Sequence, residues 1–338
     1  MDLLDKLWKK GKDFLGVEYP ILCGAMTWVS TFELVKAVSD NGAFGILAGG
    51  NMPPEIFEQE VDKCIANIKK PFAVNLITIA PNFKTQYEIL KKKDVPFVVF
   101  AGNFPKREDV VGMKDAGKKT LAFASNDTSA HQQIRFGIDA LVLEGNEAGG
   151  HIGYVTLMIL LQQVLFKFNE VPIFVAGGIG TGRMMANLLL MGAAGVQLGT
   201  RFVLTEECKV HPSFKKAFIR AHARHAIAAP QYDPRIPVVA VRSIKNKGTE
   251  EFGRIQLELI RKLEEHKVTK EEAQFEVESF WIGALKKAAI DGDVEHGSLM
   301  AGQSVGLFHD VKPIKQVLND LMTEARGEID RIKNIVNS

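Results

Sequence analysis

Short apolar runs alternate with longer amphipathic segments along the first two thirds of the chain. Each run is rich in Val, Ile, Phe and Leu, and the segment that follows it carries apolar residues at helical spacing. This alternation predicts βαβ units around a parallel sheet that is covered on both faces. The predicted strands are Tyr19–Gly24, Phe44–Gly49, Phe72–Ile77, Phe97–Ala101, Thr120–Ala124, Ala140–Glu144, Pro172–Ala176 and Gly195–Gly199.

Eight such units favour an α/β fold in which the strands close into a (β/α)8 TIM barrel, with a smaller, mainly helical C-terminal elaboration. An open doubly wound sheet is the alternative. The predicted parts are an N-terminal helix over residues 1–16, a barrel formed by residues 17–224 and 307–338, and a helical insertion on the substrate side over residues 225–306.

The chain beyond the eighth strand follows a different pattern. Residues 201–224, 250–289 and 311–337 carry amphipathic patterns and are predicted to be helical. Residues 225–247 contain three prolines and are predicted to be a loop or a lid. The insertion is therefore expected to join a loop to a charged helical region.

Small and polar residues cluster where each predicted strand meets the loop that follows it. Examples are Gly24–Met26, Gly49–Asn51, Ser125–Asn126 and Gly177–Gly178. In a barrel these strand ends form one mouth, where the active sites of such enzymes lie. Glycine at these points allows a ligand to approach the backbone closely. We therefore expect the functional site at the carboxyl ends of the strands.

Composition narrows the class of protein. The 338 residues are 46% apolar and 24% charged, which is typical of a globular protein. The net charge is only +2 and basic residues are interleaved with acidic ones, so no nucleic-acid partner is expected. No signal-peptide pattern and no uncharged apolar stretch of the roughly 20 residues that span a bilayer is present, which predicts a cytoplasmic protein without a membrane segment.

The three cysteines predict neither a disulfide framework nor a metal site, because they form no CxxC pair. Cys208 and His211 have C-x-x-H spacing without a second pair, so packing is the favoured interpretation. Cys23 ends the first predicted strand and is either a small core residue or a redox group. The apolar terminal helices are compatible with a homodimer.

Two glycine-rich segments follow the seventh and eighth predicted strands. They are Ala176–Gly182 and Gln197–Arg201. Barrels bind phosphate at these two loops, because backbone N–H groups without side chains in the way can point at an anion. The alternative is a pair of tight turns without a ligand. The glycine spacing does not match the dinucleotide fingerprint G-x-G-x-x-G, because Arg183 stands at its last glycine position.

The segment Glu144–Gly153 follows the sixth predicted strand and brings a carboxylate, a glycine pair and a histidine into one loop. His151 follows Gly149 and Gly150, so its ring can be held beside a bound ligand. An imidazole with a pKa of about 6.5 suits proton transfer at cellular pH. We predict that His151 is catalytic; the alternative is a loop histidine that caps a backbone group.

Together, these motifs resemble the nitronate monooxygenase (formerly 2-nitropropane dioxygenase) family, which includes the FMN-dependent enoyl-ACP reductases. The segments that carry the resemblance are Pro20–Met26, Pro71–Asn75, Glu144–Gly153, Ala176–Ile179 and Gly199–Phe202. The likeness continues into Asp291–Gly306, which resembles a segment near the flavin in the reductases. The strand ends at residues 100–105 and 123–126 differ from those of typical enoyl-ACP reductases, so the substrate stays open.

The resemblance implies FMN in the barrel mouth and no metal. It implies that Gly177, Gly178, Gly199 and Thr200 hold the phosphate. It also implies that Glu144 and Gln197 lie near the ribityl chain and that His151 is the acid or base. The remaining residues of the implied cofactor site lie along the ring system and beside it: Gly24, Ala25, Met26, Asn75, Gly149, Gly150 and Ala176.

Three functions follow from these observations. The first is oxidation of nitronates or nitroalkanes with O2, which needs no NAD(P)H. The alternative is reduction of an enoyl thioester, carried by acyl carrier protein or coenzyme A, with NAD(P)H as co-substrate. The third is a flavin or phosphate binder without catalysis. Arg242, Lys245 and Lys247 are candidates to contact the phosphates of a carrier, coenzyme A or NAD(P)H, or else belong to a solvated loop.

Overall fold

The computed structural model describes residues 3–50, 52–229, 232–233, 235–236 and 240–338. Eight parallel strands close into a barrel in which the last strand pairs with the first. The predicted (β/α)8 barrel is therefore confirmed, and the open sheet is wrong. In chain order the strands are β1 Ile21–Cys23, β2 Phe44–Ala48, β3 Ala73–Ile77, β4 Phe97–Ala101, β5 Lys119–Ala124, β6 Ala140–Glu144, β7 Gly150–His151, β8 Ile173–Ala176, β9 Gly195–Leu198, β10 Ala226–Ala228 and β11 Val241–Ile244, and all except β7, β10 and β11 belong to the barrel.

Helices cover the outside of the barrel and form most of the insertion. The helices are α1 Leu3–Leu7, α2 Lys9–Leu15, α3 Phe32–Asp40, α4 Pro54–Asn67, α5 Phe83–Lys92, α6 Arg107–Asp115, α7 Asp127–Phe136, α8 Leu157–Leu160, α9 Gly182–Leu190, α10 Thr200–Val203, α11 Pro212–Arg220, α12 Lys247–Glu264, α13 Lys270–Lys286 and α14 Ile314–Asn337. Short π-helical turns span Leu161–Leu165 and Lys287–Asp291, and 3-10 turns span Ala223–His225 and Gln303–Leu307.

Three segments that were predicted to be helical are divided into shorter helices and turns. The N-terminal helix is interrupted at Trp8, and residues 201–224 form α10, α11 and a 3-10 turn. Residues 250–289 divide because His266 has a positive φ of 53°, which a right-handed helix cannot include. Thr269 then starts α13, since its side chain accepts a hydrogen bond from the amide of Glu272.

The barrel interior is apolar over most of its depth. Alternate residues of each strand point inward, as the pleat of a strand requires. The inward side chains that form the interior cluster are Leu22, Phe44, Ile46, Ala73, Phe97, Val99, Leu121, Ala140, Val142, Phe174 and Ala176. Phe14 of α2 packs on Phe97 and Phe174, with ring centroids 5.7 and 6.2 Å apart. The N-terminal helices therefore close the amino end of the barrel, and we call Phe14, Phe97 and Phe174 the barrel plug.

A second, three-stranded antiparallel sheet has the order β10-β11-β7. The prediction that residues 225–247 form only a loop is wrong, because β10 and β11 lie within this range. Long-range pairing decides their structure: Val241 lies opposite His151, and Arg242 opposite Gly150. Asn51, Pro230, Pro234 and Pro237, which were predicted to lie in loops, are outside the described residues.

The final helix, α14, packs directly on α9. A Cβ atom added to Gly182 would lie 1.8 Å from the carbonyl oxygen of Leu321, so only glycine permits this approach. The amide of Gly182 also donates to Glu324 at 2.7 Å. Residues 307–338 thus complete the helical layer around the eighth βα unit. Among the described residues, no helix combines the length and the apolar composition that crossing a membrane would need.

Candidate functional site

Three polar side chains replace the apolar interior at the carboxyl end of the barrel. Asn75, Glu144 and Gln197 continue the inward positions of β3, β6 and β9, directly above Ala73, Val142 and Gly195. Glu144 lies opposite Ala176, and Ala176 lies opposite Gln197. We call Asn75, Glu144 and Gln197 the mouth ring. The structure therefore brings together these three predicted cofactor residues at one level of the barrel.

The mouth ring carries hydrogen-bonding capacity that the protein does not use. The side chain of Asn75 donates to the carbonyl of Val99 at 3.1 Å. In the described part of the chain, the Oε1 atom of Gln197 is buried without a hydrogen-bond partner. A buried polar atom without a partner costs stability, so such an atom at a barrel mouth points to a ligand.

Backbone without side chains lies next to the mouth ring. A Cβ atom added to Gly24 would lie 3.1 Å from Nε2 of Gln197, and one added to Gly199 would lie 3.5 Å from Sδ of Met26. Ala25 is partly buried and packs on the interior cluster. Side chains larger than a hydrogen atom at Gly24 and Gly199 would fill space at the mouth. The residues present therefore fit a flat ring system that contacts the backbone.

The loop after β8 forms the phosphate side of the predicted site. Gly177 and Gly178 have φ values of 97° and 70°, a left-handed conformation that favours glycine. Among the described residues, none accepts a hydrogen bond from the amides of Gly178 or Thr200. Amides without an internal acceptor at two neighbouring strand ends can form an anion-binding concavity. This arrangement fits the phosphate of a mononucleotide.

Backbone amides in the first turn of α9 already have hydrogen-bond acceptors within the protein. Thr181 accepts a hydrogen bond from the amide of Met184 at 3.1 Å, and Glu324 accepts from Gly182. The hydroxyl of Thr200 accepts from the amide of Gly302 at 3.1 Å, which leaves its hydrogen for a ligand. An anion is therefore expected at the loops after β8 and β9 and not at the first turn of α9.

The loop that carries His151 is held between the barrel and the insertion. A Cβ atom added to Gly149 would lie 2.5 Å from both the carbonyl carbon of Ala301 and the amide nitrogen of Gly302. One added to Gly153 would lie 2.5 Å from Cβ of Ser125, at the end of β5. The absence of side chains at Gly149 and Gly153 therefore allows the loop to contact the insertion through one glycine and the end of β5 through the other.

Burial sets the protonation of His151. Desolvation lowers its pKa below the ordinary value, so the imidazole is neutral at neutral pH. Within the described chain, the Nε2 atom is buried and has no hydrogen-bond partner. The alternative in which the ring caps a backbone group through Nε2 therefore finds no support. A neutral imidazole with one unpartnered nitrogen is suited to move a proton to or from a substrate.

The pKa of Glu144 is shifted in the opposite direction, above its ordinary value. Desolvation raises the pKa of its carboxyl to about 8, so much of it is protonated at neutral pH. A protonated carboxyl can donate a hydrogen bond to a ligand, whereas a carboxylate cannot. The mouth therefore combines a carboxyl group that is largely protonated at neutral pH with a neutral imidazole.

Arg242 has a role that the sequence did not reveal. Its guanidinium is buried and donates to Oδ1 of Asn146 at 2.8 Å, to the carbonyl of Asn146 at 3.1 Å and to the carbonyl of Ala226 at 2.6 Å. Asn146 belongs to the loop that carries His151. Neither alternative predicted for Arg242, a contact with phosphates or a place in a solvated loop, agrees with this burial, and Arg242 instead joins this loop to β10.

The other two cations of the predicted phosphate contact differ from each other. Lys247 forms an ion pair with Glu295 at 2.5 Å. Lys245 is exposed and, among the described residues, has no carboxylate within 4.0 Å. Of the three cations, only Lys245 is free to meet an external anion.

Trp28 is a further candidate for ligand contact, of which the sequence gives no sign. It lies in the loop after β1 with a φ of 65°, a conformation that costs energy for a bulky side chain. Its indole nitrogen is buried without a partner among the described residues, and Nζ of Lys286 lies 5.5 Å from its ring. Only a structure reveals such strain. Backbone strain and an unused donor beside the predicted ring site together suggest a ligand contact.

The cysteines lie away from the mouth. Cys23 points out of the barrel into the outer core, where Cys208 also lies. Burial raises the pKa of the Cys23 thiol, so it stays protonated, and a redox role is not supported. His211 accepts a hydrogen bond from the amide of Ser213 at 3.2 Å and so caps α11.

Comparison with known proteins gives a consistent result. The family model described as nitronate monooxygenase matches residues 9–86 and 77–324. The chain is 27% identical over 342 residues to (3aS,4S,5R,7aS)-5-hydroxy-7a-methyl-1-oxo-octahydro-1H-indene-4-carboxyl-CoA dehydrogenase of Mycobacterium tuberculosis, covering 93% of this chain and 94% of that protein. It is 24% identical to a probable nitronate monooxygenase of Staphylococcus aureus, covering 94% and 98%. The solved structure of FabK from Thermotoga maritima matches with a TM-score of 0.85 and 31% identity, covering 96% of this chain and 98% of that one.

Proposed function

Because the chain belongs to the nitronate monooxygenase family, we propose that it is an FMN-dependent oxidoreductase that uses NAD(P)H to reduce an enoyl thioester. The observation that carries the proposal is the contact between Leu299–Gln303 and the loop of His151. The amide of Gln303 donates to the carbonyl of Glu147 at 3.0 Å, in addition to the Gly149 contact described above. This part of the chain lies in the segment that resembles the enoyl-ACP reductases of the family.

The comparisons support the substrate class. The relative from Mycobacterium tuberculosis bears the name of an enzyme that acts on a coenzyme A thioester. FabK, an enoyl-ACP reductase, is more similar in sequence than the probable nitronate monooxygenases are. An acyl group attached through sulfur to a phosphopantetheine arm is the feature that these two substrates share. We therefore place the thioester first.

Residues of the mouth would hold the cofactor. Asn75, Glu144 and Gln197 would contact the flavin and its chain, and the amides of Gly178 and Thr200 would hold its phosphate. When bound, the flavin supplies hydride transfer from NAD(P)H to the β-carbon of the enoyl group. Gly24, Ala25, Met26, Gly149, Gly150, Ala176, Gly177 and Gly199 would line the same space.

His151 would control the proton in this reaction. Hydride addition at the β-carbon leaves negative charge on the α-carbon and the thioester oxygen, and one proton must be added at the α-carbon. An imidazole whose Nε2 atom has no protein partner can pass a proton to that carbon, and the ring would be reprotonated from solvent. The insertion, residues 225–306, would exclude water, because its residues 299–303 cover the His151 loop.

The test is anaerobic stopped-flow absorbance at the flavin band. The FMN-loaded protein is mixed first with NADH or NADPH and then with crotonyl N-acetylcysteamine thioester. We expect the nicotinamide to bleach the flavin and the thioester to restore its colour. Failure of both nicotinamides to bleach the flavin would overturn the proposal.

Oxidation of nitronates is the second candidate, because the family model and the probable nitronate monooxygenase point to it. The neutral His151 would then take the α-proton of a nitroalkane or contact the nitronate anion. In the same instrument, bleaching by propionate 3-nitronate without a nicotinamide, followed by O2 consumption, would identify this activity.

A further inference from the structure

Two strand ends whose sequence departs from that of typical enoyl-ACP reductases, residues 100–105 and 123–126, are neighbours in the structure. They lie at the ends of β4 and β5, which pair directly in the barrel. Together with the end of β3, they form one side of the barrel mouth. Residues 71–83, 95–105 and 120–126 contain no Asp, Glu, Lys, Arg or His, so this side of the mouth offers apolar surface and no side-chain charge.

Three apolar side chains point into the mouth on this side. Ile77 lies two residues after Asn75 on β3, so it continues the inward positions of that strand. Ala101 lies directly opposite Ile77 on β4, and Phe123 of β5 packs on the interior cluster. All three are partly exposed, whereas the inward residues below them are buried. The apolar interior of the barrel therefore continues into an open surface that a ligand can contact.

Two larger apolar side chains continue this surface at the rim. Ile79 and Phe104 are 37% and 47% exposed. The loops that carry them are joined, because the hydroxyl of Thr78 donates to the carbonyl of Asn103 at 2.8 Å. A Cβ atom added to Gly102, whose φ is 90°, would lie 3.3 Å from Cγ1 of Ile79. We call the five apolar side chains on this side of the mouth the apolar wall: Ile77, Ile79, Ala101, Phe104 and Phe123.

The apolar wall begins beside the His151 loop. Ser125 lies two residues after Phe123, and its Cβ atom is the nearest neighbour of the Cβ position at Gly153. Gly153 in turn lies two residues after His151. The loop and the wall therefore meet at the end of β5. An acyl group that reacts beside His151 can extend from its reacting carbons onto the wall.

The height and the chemistry of the apolar wall distinguish an acyl chain from other ligands of the mouth. Ile79 lies four residues beyond Asn75, and Phe104 lies three residues beyond the end of β4. Both are therefore above the level at which a flat ring would contact the mouth ring. The phosphates of a dinucleotide or of coenzyme A would need cations or free amides, and these segments have no charged side chain. A contiguous apolar surface in a binding site suits an apolar group.

We propose that the apolar wall binds the alkyl part of the acyl group and makes the protein select enoyl thioesters longer than four carbons; this proposal rests on the proposed thioester reduction. The double bond that reacts lies between C2 and C3. The carbons from C4 onward take no part in the reaction and can contact the wall. Each methylene that is removed from water increases affinity by up to about fourfold. Ile79 and Phe104 are thus specificity-determining residues.

The test measures kcat/KM for the crotonyl, trans-2-hexenoyl and trans-2-octenoyl thioesters of N-acetylcysteamine, which differ only in chain length. The variant is Ile79→Asn/Phe104→Asn. The matched control is Leu190→Asn/Phe166→Asn, which replaces side chains that are 40% and 55% exposed at the amino end of the barrel. We expect the wild-type ratio of octenoyl to crotonyl kcat/KM to be at least tenfold. This ratio should fall at least fivefold in the variant and less than twofold in the control.

Several results would overturn the proposal. A wild-type ratio near one, or an unchanged ratio in the variant, would show that the wall does not select chain length. An equal fall in the control would assign the effect to a general loss of stability. Weaker FMN binding by the variant, with an unchanged ratio, would assign Ile79 and Phe104 to the flavin.

Failure of the proposed function gives a separate result. If the wild type reduces none of the three thioesters, thioester reduction fails. The apolar wall is then tested with the saturated butanoyl and octanoyl thioesters of N-acetylcysteamine, whose binding to the FMN-loaded protein is measured from the change in flavin absorbance. At least tenfold tighter binding of the octanoyl form, lost in the Ile79→Asn/Phe104→Asn variant, supports the wall. Equal dissociation constants for the two lengths, or no binding of either, overturn it.

Discussion

The same strands form both ends of the barrel, but the interior side chains are apolar at one end and polar at the other. At the amino end, the barrel plug fills the interior with aromatic rings, whose side chains have no hydrogen-bonding groups to satisfy. At the carboxyl end, the mouth ring and His151 hold polar atoms that, among the described residues, have no partner. The plug therefore contributes stability, whereas the unpartnered polar atoms at the mouth cost stability, as expected of a binding site. Substitutions at the two ends should separate these contributions.

The largest expected effect is on catalysis at the mouth. His151→Ala should lower kcat/KM by roughly 100- to 10,000-fold, the range for loss of a general acid or base. Its melting temperature should change little, because Nε2 makes no hydrogen bond within the described chain. Single-turnover reoxidation of the reduced flavin by the enoyl thioester measures the loss. His131→Ala, on the exposed surface of α7, is the control. Equal rates for the two variants would show that His151 is not the acid or base.

The next effect is on stability at the plug. Phe14→Ala should lower the free energy of unfolding by about 3 kcal/mol, near the low end for a phenylalanine that is only partly buried. Turnover per bound flavin should stay the same, because Phe14 lies at the far end of the barrel. Urea denaturation measures the first quantity. Phe166→Ala, which removes an exposed ring, should cost far less. A loss of turnover in the flavin-loaded Phe14 variant would contradict the separation of the two ends.

A third experiment uses pH to test the mouth ring. The folded pKa of Glu144, about 8, exceeds its ordinary value, so its contribution to stability is present at low pH and is lost as pH rises through 8. Glu144→Gln mimics the protonated form. Without flavin, the variant should melt several degrees above the wild type at pH 9 and close to it at pH 5. Exposed Glu271→Gln should show no such divergence. Parallel melting curves for wild type and Glu144→Gln would contradict the raised pKa.

The smallest effect concerns the contact between the mouth and the insertion. Thr200→Val keeps the shape of the side chain but removes the acceptor for the amide of Gly302. The expected loss is about 1 kcal/mol of unfolding free energy. Weaker FMN binding, measured by fluorescence titration, should accompany it if the hydroxyl also contacts the phosphate. Unchanged stability would show that water replaces the hydroxyl.

The eight barrel strands could be predicted because each is a local pattern. A run such as Phe97–Ala101 is apolar throughout, and its limits agree in sequence and structure. The second sheet could not be predicted in this way. Its strand β7 has only two residues, and its partner Val241 is ninety positions further along the chain. Pairing over such a separation leaves no periodic signal.

The candidate site also contains some residues that could be predicted from the sequence and others that could not. The glycines and His151 were found because loops at strand ends carry function. Arg242 was predicted either to contact an external phosphate or to lie in a solvated loop, whereas three internal acceptors allow its burial. Trp28 gave no signal, since strain belongs to the backbone conformation.

The dependence of the His151 loop on Arg242 and Gly302 also sets an order of events during synthesis. A ribosome releases the barrel strands first, and β9 is complete long before Arg242, Gly302 and α14 leave the exit tunnel. Until then, the loop lacks the contacts that hold it and α9 lacks its cover. A nascent chain can therefore form barrel strands before it is able to catalyse, and competence arrives only after Arg242 and Gly302 have emerged.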